Sequence, residues 1–253
     1  MSDARLANAR WPDVKAALES GKPIVAILPC GATEAHGPHL PLGTDVIISE
    51  SIAAFALPKL EERGIHVLVL PSLAYAPAEY AAGFAGTISI SMDAALALVL
   101  DIARSLKKQG FAMLALVNSH FDPANVAVLR DASETIVREI GLKVAFPDFT
   151  RRKLAEKLTD EFKSGACHAG QFEGSLVLAS RPELVDDDAR LQLPPNSNSL
   201  VAAFAKGAKT FEEAGGPQAY FGTPAGASAE EGVASLDCMS DMIVQAIAAQ
   251  LEP

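Results

Sequence analysis

The stretch Pro23-Ile-Val-Ala-Ile-Leu-Pro29, followed by Gly31-Ala-Thr-Glu-Ala-His-Gly-Pro-His-Leu-Pro-Leu-Gly-Thr-Asp45, decides the fold. The first run lacks the in-out alternation of a strand with one face in water. It reads as a strand buried on both faces, which is the mark of a parallel sheet covered by helices. The second run is a Gly/Pro-rich loop. Thr44 reads as the cap of a helix to about Glu62, with Val46, Ile47, Ile52 and Phe55 at helical spacing.

The same alternation continues outward. Gly64 ends the first helix, and His66 to Leu70 is a second strand. Ser91 and Asp93 open a helix through Leu100 and Leu106 that stops at Gly110. A strand from Phe111 to Val117, a helix from about Pro123 to Gly141 and a strand from Leu142 to Phe146 follow. Ser228 to Leu251 reads as an amphipathic helix, and Pro194 to Ser199 as a loop rather than a linker. No internal repeat divides the chain. The pattern predicts one three-layer α/β/α domain over residues 1–253, with a largely parallel central sheet.

Composition narrows the function. The chain has 253 residues, 49% of them hydrophobic, enough for a substantial core. Acidic residues outnumber basic ones, 31 to 21, for a net charge of −10, which argues against a nucleic-acid partner. The strand-like apolar runs stop well short of the ~18 residues of a membrane span. The opening Met-Ser-Asp-Ala-Arg-Leu-Ala-Asn-Ala-Arg-Trp11 lacks the apolar core of a signal peptide. Three cysteines are too few for a disulfide framework, so the expected setting is the cytoplasm, away from membranes.

Chemistry concentrates in the loops. Of five histidines, four (His36, His39, His120 and His168) fall in three loops between the apolar runs. Two of those loops directly follow strands, and the carboxyl ends of strands are where open α/β sheets bind ligands. Glu34 and His36, two apart, project to one side of an extended segment, and His120 and Asp122 repeat that spacing. Asp45 stands at a helix start, where alone it reads as a cap. His39 reads as a loop stiffener, and His66 as a sheet-edge or core residue. Taken jointly, Glu34, His36, Asp45, His120 and Asp122 form a mixed nitrogen/oxygen set suited to Zn²⁺ or Mn²⁺. Five ligands exceed the needs of one tetrahedral zinc and point to two ions sharing a carboxylate.

These residues resemble the creatininase (creatinine amidohydrolase) family. Pro29 to Asp45 is similar to the family's Glu-x-His-Gly-Pro-His-Leu-Pro-Leu-Gly-Thr-Asp run. The likeness continues at Phe84-Ala-Gly-Thr87, at Asn118-Ser-His120 (family Asn-Gly-His), at His168-Ala-Gly-Gln-Phe-Glu-Gly-Ser175 and at Gly222-Thr-Pro-Ala-Gly-Ala-Ser-Ala-Glu-Glu-Gly232. The resemblance implies a three-layer fold, a binuclear centre that hydrolyses a cyclic or small linear amide, and a homo-oligomer, often a hexamer. By motif position Glu34 and His120 hold one ion, His36 the other, and Asp45 bridges. Asp122 takes the place of creatininase's glutamate as fifth ligand, while other members point to Glu173 instead. His168 matches the family's catalytic histidine and is the expected general acid, with Glu173 in the same motif. The tryptophans that hold the creatinine ring in creatininase have no counterpart here, since the single tryptophan is Trp11. The expected substrate is therefore a small-molecule amide other than creatinine, with formamides and peptides as alternatives within the family.

Around the site, Tyr75, Glu79, Tyr80 and Phe121 are candidates to line a pocket, and Arg151 or Arg152 to reach a substrate anion. Cys167 beside His168 lacks a triad partner pattern and reads as a buried thiol. A competing reading is a non-catalytic oligomeric binding protein that keeps the fold. A dinucleotide-binding protein is excluded by the missing Gly-rich phosphate loop after the first strand.

Overall fold

The structure, a computed structural model, describes residues 4–251. Four parallel strands make the central sheet among these residues: β1 (Ile24–Cys30), β2 (His66–Val69), β3 (Met113–Asn118) and β4 (Lys143–Ala145), in the order β2-β1-β3-β4. Val25 lies beside Met113 and Cys30 beside Asn118, so β1 and β3 end level with one another. The helices in chain order are α1 (Trp11–Leu18), α2 (Thr44–Glu62), α3 (Met92–Gln109), α4 (Pro123–Thr135), α5 (Arg152–Ala155), α6 (Asp160–Ser164), α7 (Gln171–Ser180), α8 (Asp187–Gln192), α9 (Leu200–Ala205) and α10 (Ala229–Leu251).

Alternation along β1 builds two cores, as a strand period of two requires. Val25 and Ile27 join Met113, Ala115 and Val117 against α2, α7 and α10, where Ile52, Leu176, Met239 and Ile243 are fully buried. Ile24, Ala26, Leu28 and Cys30 face the other way, onto Val14 of α1, Val99 and Leu106 of α3, and Leu129 of α4. Both faces of the sheet are thus covered, and the three-layer α/β/α architecture stands. His66 opens the edge strand β2.

The element bounds shift in instructive ways. Thr44 is inside α2, not its cap: its hydroxyl donates to the Pro41 carbonyl at 2.7 Å, and Gly43 holds the cap position. The helix expected to reach Gly141 is α-helical only to Thr135; a wider π turn covers Ile136–Ile140 before left-handed Gly141 ends it. Ser91 does cap α3, accepting from the Ala94 N–H, and left-handed Gly110 closes that helix. By length and composition α10, with a mean hydropathy of 1.2 over its most apolar window, is apolar enough to cross a membrane. In the fold half of that window is buried, and the helix packs along α7 and α2.

Candidate metal centre

Because β1 and β3 end side by side, the loops that follow them meet above the sheet. Gly31 brings α2 down onto the strand end: a Cβ there would lie 2.6 Å from the Val46 nitrogen and 2.7 Å from the Asp45 carbonyl carbon. Asp45 is thereby lowered between the Glu34–His36 segment and His120. Asn118 at the end of β3 and Asn125 in α4 both donate to the His120 carbonyl at 2.8 Å, fixing the backbone that carries this imidazole. The third contributor is α7, which delivers Glu173 after the turn at His168.

Three histidines are oriented by main-chain carbonyls. Nδ1 of His36 pairs with the Glu34 carbonyl at 3.1 Å, Nε2 of His120 with Pro77 at 2.8 Å, and Nε2 of His168 with Ala35 at 2.9 Å. A carbonyl only accepts, so each of these ring nitrogens carries a proton, and the other nitrogen is the one turned toward the carboxylates, free to bind an ion once any proton on it is displaced. That is how metal-ligating imidazoles are held.

Two groups of facing atoms form around Asp45. Nδ1 of His120 stands 3.1 Å from Glu34 Oε1 and 3.0 Å from Asp45 Oδ2. Nε2 of His36 stands 3.2 Å from Asp45 Oδ1 and 3.6 Å from Glu173 Oε2. Glu34, Asp45 and His120 thus converge, as do His36, Asp45 and Glu173, and Glu34, His36 and His168 make a third trio, with the donor atoms of each within 4.8 Å of one another. Asp45 gives a different oxygen to each of the two trios that contain it. His168 reaches the rim, its Nδ1 3.9 Å from Glu34 Oε1 and 4.0 Å from Glu173 Oε2.

The donor set fits divalent cations on two grounds. His36 Nε2 and Asp45 Oδ2 are buried without an aligned hydrogen-bond partner, despite neighbours near 3 Å. Buried polar atoms are ordinarily satisfied, and atoms that converge on a point without pairing are arranged as ligands. Secondly, Glu34, Asp45 and Glu173 are each no more than 3% exposed, and no Lys or Arg is among the groups acting most strongly on them. Three buried carboxylates need counter-charge, and here only the imidazoles supply it.

The titration behaviour follows. Burial pushes Asp45 and Glu34 up, but His36 and His120 outweigh it at Asp45 and His120 at Glu34, holding both below the usual carboxylate range. Burial works against charge on His36, yet Asp45, Glu173 and Glu34 raise it to about 10. His120 is raised well above normal against the same burial by Glu34 and Asp45. Glu173 goes the other way, pushed up to about 8 mainly by burial. Burial and the neighbouring His36 lower His168 to about 4, so its resting imidazole is neutral rather than poised near working pH.

A family model described as creatininase, creatinine amidohydrolase, matches residues 7–247. The chain belongs to the creatininase family. With that family it is a hydrolase of carbon–nitrogen bonds. The creatinine amidohydrolase of Pseudomonas putida is 30% identical over 200 residues, covering 73% of this chain and 75% of that protein. A mycofactocin precursor peptide peptidase of Mycobacterium ulcerans (strain Agy99) is 32% identical over 166 residues, 64% of this chain and 60% of that protein. The crystal structure of creatinine amidohydrolase (creatininase) superposes with a TM-score of 0.80 at 25% identity, covering 100% of both chains. A structure called "Creatininase Mn" gives 0.77 at 25% identity, over 99% of this chain and 100% of that one.

Among the residues singled out from this creatininase-family sequence, Glu34, His36, Asp45, His120, His168 and Glu173 come together. Asp122 belongs to none of the trios among the described residues. It is the N-cap of α4, its Oδ1 accepting the Ala124 N–H at 2.7 Å. Arg151 is tied to Asp148 and Arg152 to Glu156, both exposed and spent on those carboxylates. Tyr75 is exposed beside a small recess that it lines with Leu98, Phe121 packs edge-on against Phe162, and Glu79 is exposed. Tyr80 does belong near the centre, stacked 3.8 Å from Phe204 in the aromatic group that reaches His168 through Phe211. His39 is buried with neither ring nitrogen paired, while its carbonyl accepts from Asp186 at 2.9 Å, so its backbone ties the loop to the start of α8. Cys167 is held far above a reactive thiol range by burial and the nearby Glu173. Two features escaped the sequence reading. Phe211 covers His168 with ring centroids 4.4 Å apart, and the acceptor carbonyls of Ala35 and Pro77 carry no side-chain signal at all.

Proposed function

We propose that this chain hydrolyses a small cyclic or linear amide with two divalent ions, Zn²⁺ and/or Mn²⁺, as cofactors. Glu34 and His120 would hold one ion, His36 and Glu173 the other, with Asp45 shared. The observation that carries this reading is the split of Asp45, whose two oxygens face different histidines at 3.2 and 3.0 Å. Bound there, the ions supply Lewis acidity toward the amide carbonyl and bring the pKa of water toward neutrality.

The protein's own groups do the rest. His168, neutral at rest with Nε2–H fixed on Ala35, offers Nδ1 as a base toward the Glu34–Glu173 side. Having taken the proton of the water that attacks the amide carbonyl carbon, it can return that proton to the departing nitrogen as the C–N bond breaks, so one imidazole serves both steps. Phe211 and His36 flank its ring at 4.4 and 4.3 Å, preventing it from turning away. All six groups are no more than 8% exposed, which keeps bulk water from competing with a bound amide.

The substrate is proposed to be a small amide other than creatinine; the peptidase relative makes a peptide the alternative. The test is elemental analysis of protein purified without chelator, followed by assays on cyclic amides, formamides and short peptides. About two equivalents of Zn or Mn per chain and turnover in one class support the reading. Absence of metal even after reconstitution would overturn it in favour of a non-catalytic binding protein.

A further inference from the structure

We infer that Glu161 is a positioning residue for the metal centre, its carboxylate clamping the turn His168-Ala169-Gly170 so that His168 and Glu173 face one point. This rests on the metal-dependent reading above.

Glu161 lies in α6, outside the cluster, yet its carboxylate joins two segments on either side of His168. Oε1 accepts the Phe172 N–H at 2.8 Å, at the start of α7, and Oε2 accepts the Thr223 N–H at 2.7 Å. It sits in a cradle made by Gly170 and Gly222, where a Cβ on either residue would collide with its oxygens. The segment reached through Thr223 also holds the turn directly, since Phe221 N–H donates to the His168 carbonyl at 2.7 Å. A simple cap on α7 would satisfy that helix alone. Glu161 instead fixes α7 relative to the 221–223 segment, with the His168 turn between them.

The turn needs such holding. Ala169 has φ 52, a left-handed conformation that residues with a side chain adopt only when their surroundings over-determine it. In that conformation its N–H donates to Glu173 Oε2 at 2.6 Å. Glu173 Oε2 is the atom that faces His36. The chain of dependence therefore runs from Glu161 through the strained Ala169 to the orientation of Glu173, with His168 carried on the same turn.

The test is Zn²⁺ titration of the full chain, stripped and reloaded, comparing wild type with Glu161→Ala, Glu161→Gln, Ala169→Gly and the double variant Glu161→Ala/Ala169→Gly. Glu161→Ala is expected to weaken one equivalent by about tenfold or more while the other keeps its affinity, the scale of effect of groups that orient ligands. Ala169→Gly added to it should recover most of that loss, because glycine takes the left-handed conformation freely. A merely structural role would not show this recovery. Should Glu161→Ala fail to fold, Glu161→Gln carries the same readout, with a smaller loss because its amide oxygen still accepts one N–H. Wild-type affinity for both equivalents in Glu161→Ala and Glu161→Gln overturns the inference alone. Equal weakening of both equivalents without recovery by glycine does the same. Wild type that binds no Zn²⁺ overturns the metal reading, and this inference with it.

Discussion

Ser119 donates its hydroxyl proton to the main-chain carbonyl of Asp45 at 2.5 Å, joining the end of β3 to the first turn of α2 across 74 residues. The bond fixes how far Asp45 descends between His36 and His120, and so the placement of both its oxygens. Ser119→Ala is expected to lower stability by about 1 kcal/mol. The same variant should weaken metal binding in the two trios that contain Asp45 together, because Asp45 serves both. Thermal unfolding and metal titration on one preparation check this; unaltered affinity for both ions would show that α2 is held in place without this bond.

Asp122 and Glu173 make opposite predictions. Glu173→Ala should cost one metal equivalent, since Glu173 Oε2 faces His36 Nε2 at 3.6 Å. Asp122→Ala should keep both equivalents and lose only the cap on α4, about 1 kcal/mol of stability. Metal counting on the two variants decides the matter, and loss of an equivalent from Asp122→Ala alone would reverse the assignment.

These two carboxylates also show where sequence reading reaches its limit. β1 and β3 were legible because they are apolar up to Cys30 and Val117, and Glu34, His36, Asp45 and His120 because ligand-type residues follow in the loops after those strands. The spacing of His120 and Asp122 promised a shared side only for an extended chain. Here the chain turns into α4 at Asp122, and the free N–H of Ala124 claims the carboxylate locally. Thr44 missed its expected cap role for a similar reason, the Pro41 carbonyl being within reach of its hydroxyl. Glu173 arrives on α7, well beyond both strand-end loops in sequence, through a left-handed alanine that no propensity rule anticipates. The neutral state of His168 depends on burial and on His36, which are properties of the assembled site.

Metal loading should depend on pH in a determined direction. His36 is raised to about 10 and His120 well above normal, so at neutral pH both imidazoles carry a proton that an incoming ion must displace. Apparent affinity for Zn²⁺ or Mn²⁺ is therefore expected to rise with pH from 6 to 8, with protons released on binding. Titrations in weakly buffered solution with a pH indicator measure both quantities. Affinity that stays flat across this range, with no proton release, would contradict the protonated imidazoles.

His168 offers the separation between holding the metal and performing the chemistry. Its Nδ1 is 3.9 Å or more from the carboxylates, while the imidazoles of His36 and His120 approach Asp45 to 3.2 and 3.0 Å. His168→Gln is expected to keep both metal equivalents, with the side-chain amide able to donate to the Ala35 carbonyl as the imidazole does. What it loses is a group that accepts and returns a proton, so kcat on any amide the wild type turns over should fall by about 10²–10⁴. Because the lost function is proton transfer to the leaving nitrogen, the deficit should shrink for amides whose leaving group needs no protonation, such as activated anilides. Comparing kcat for an alkyl amide and a nitroanilide in wild type and variant measures this. An equal deficit on both would move His168 from acid–base work to substrate positioning, and loss of a metal equivalent would make it a ligand.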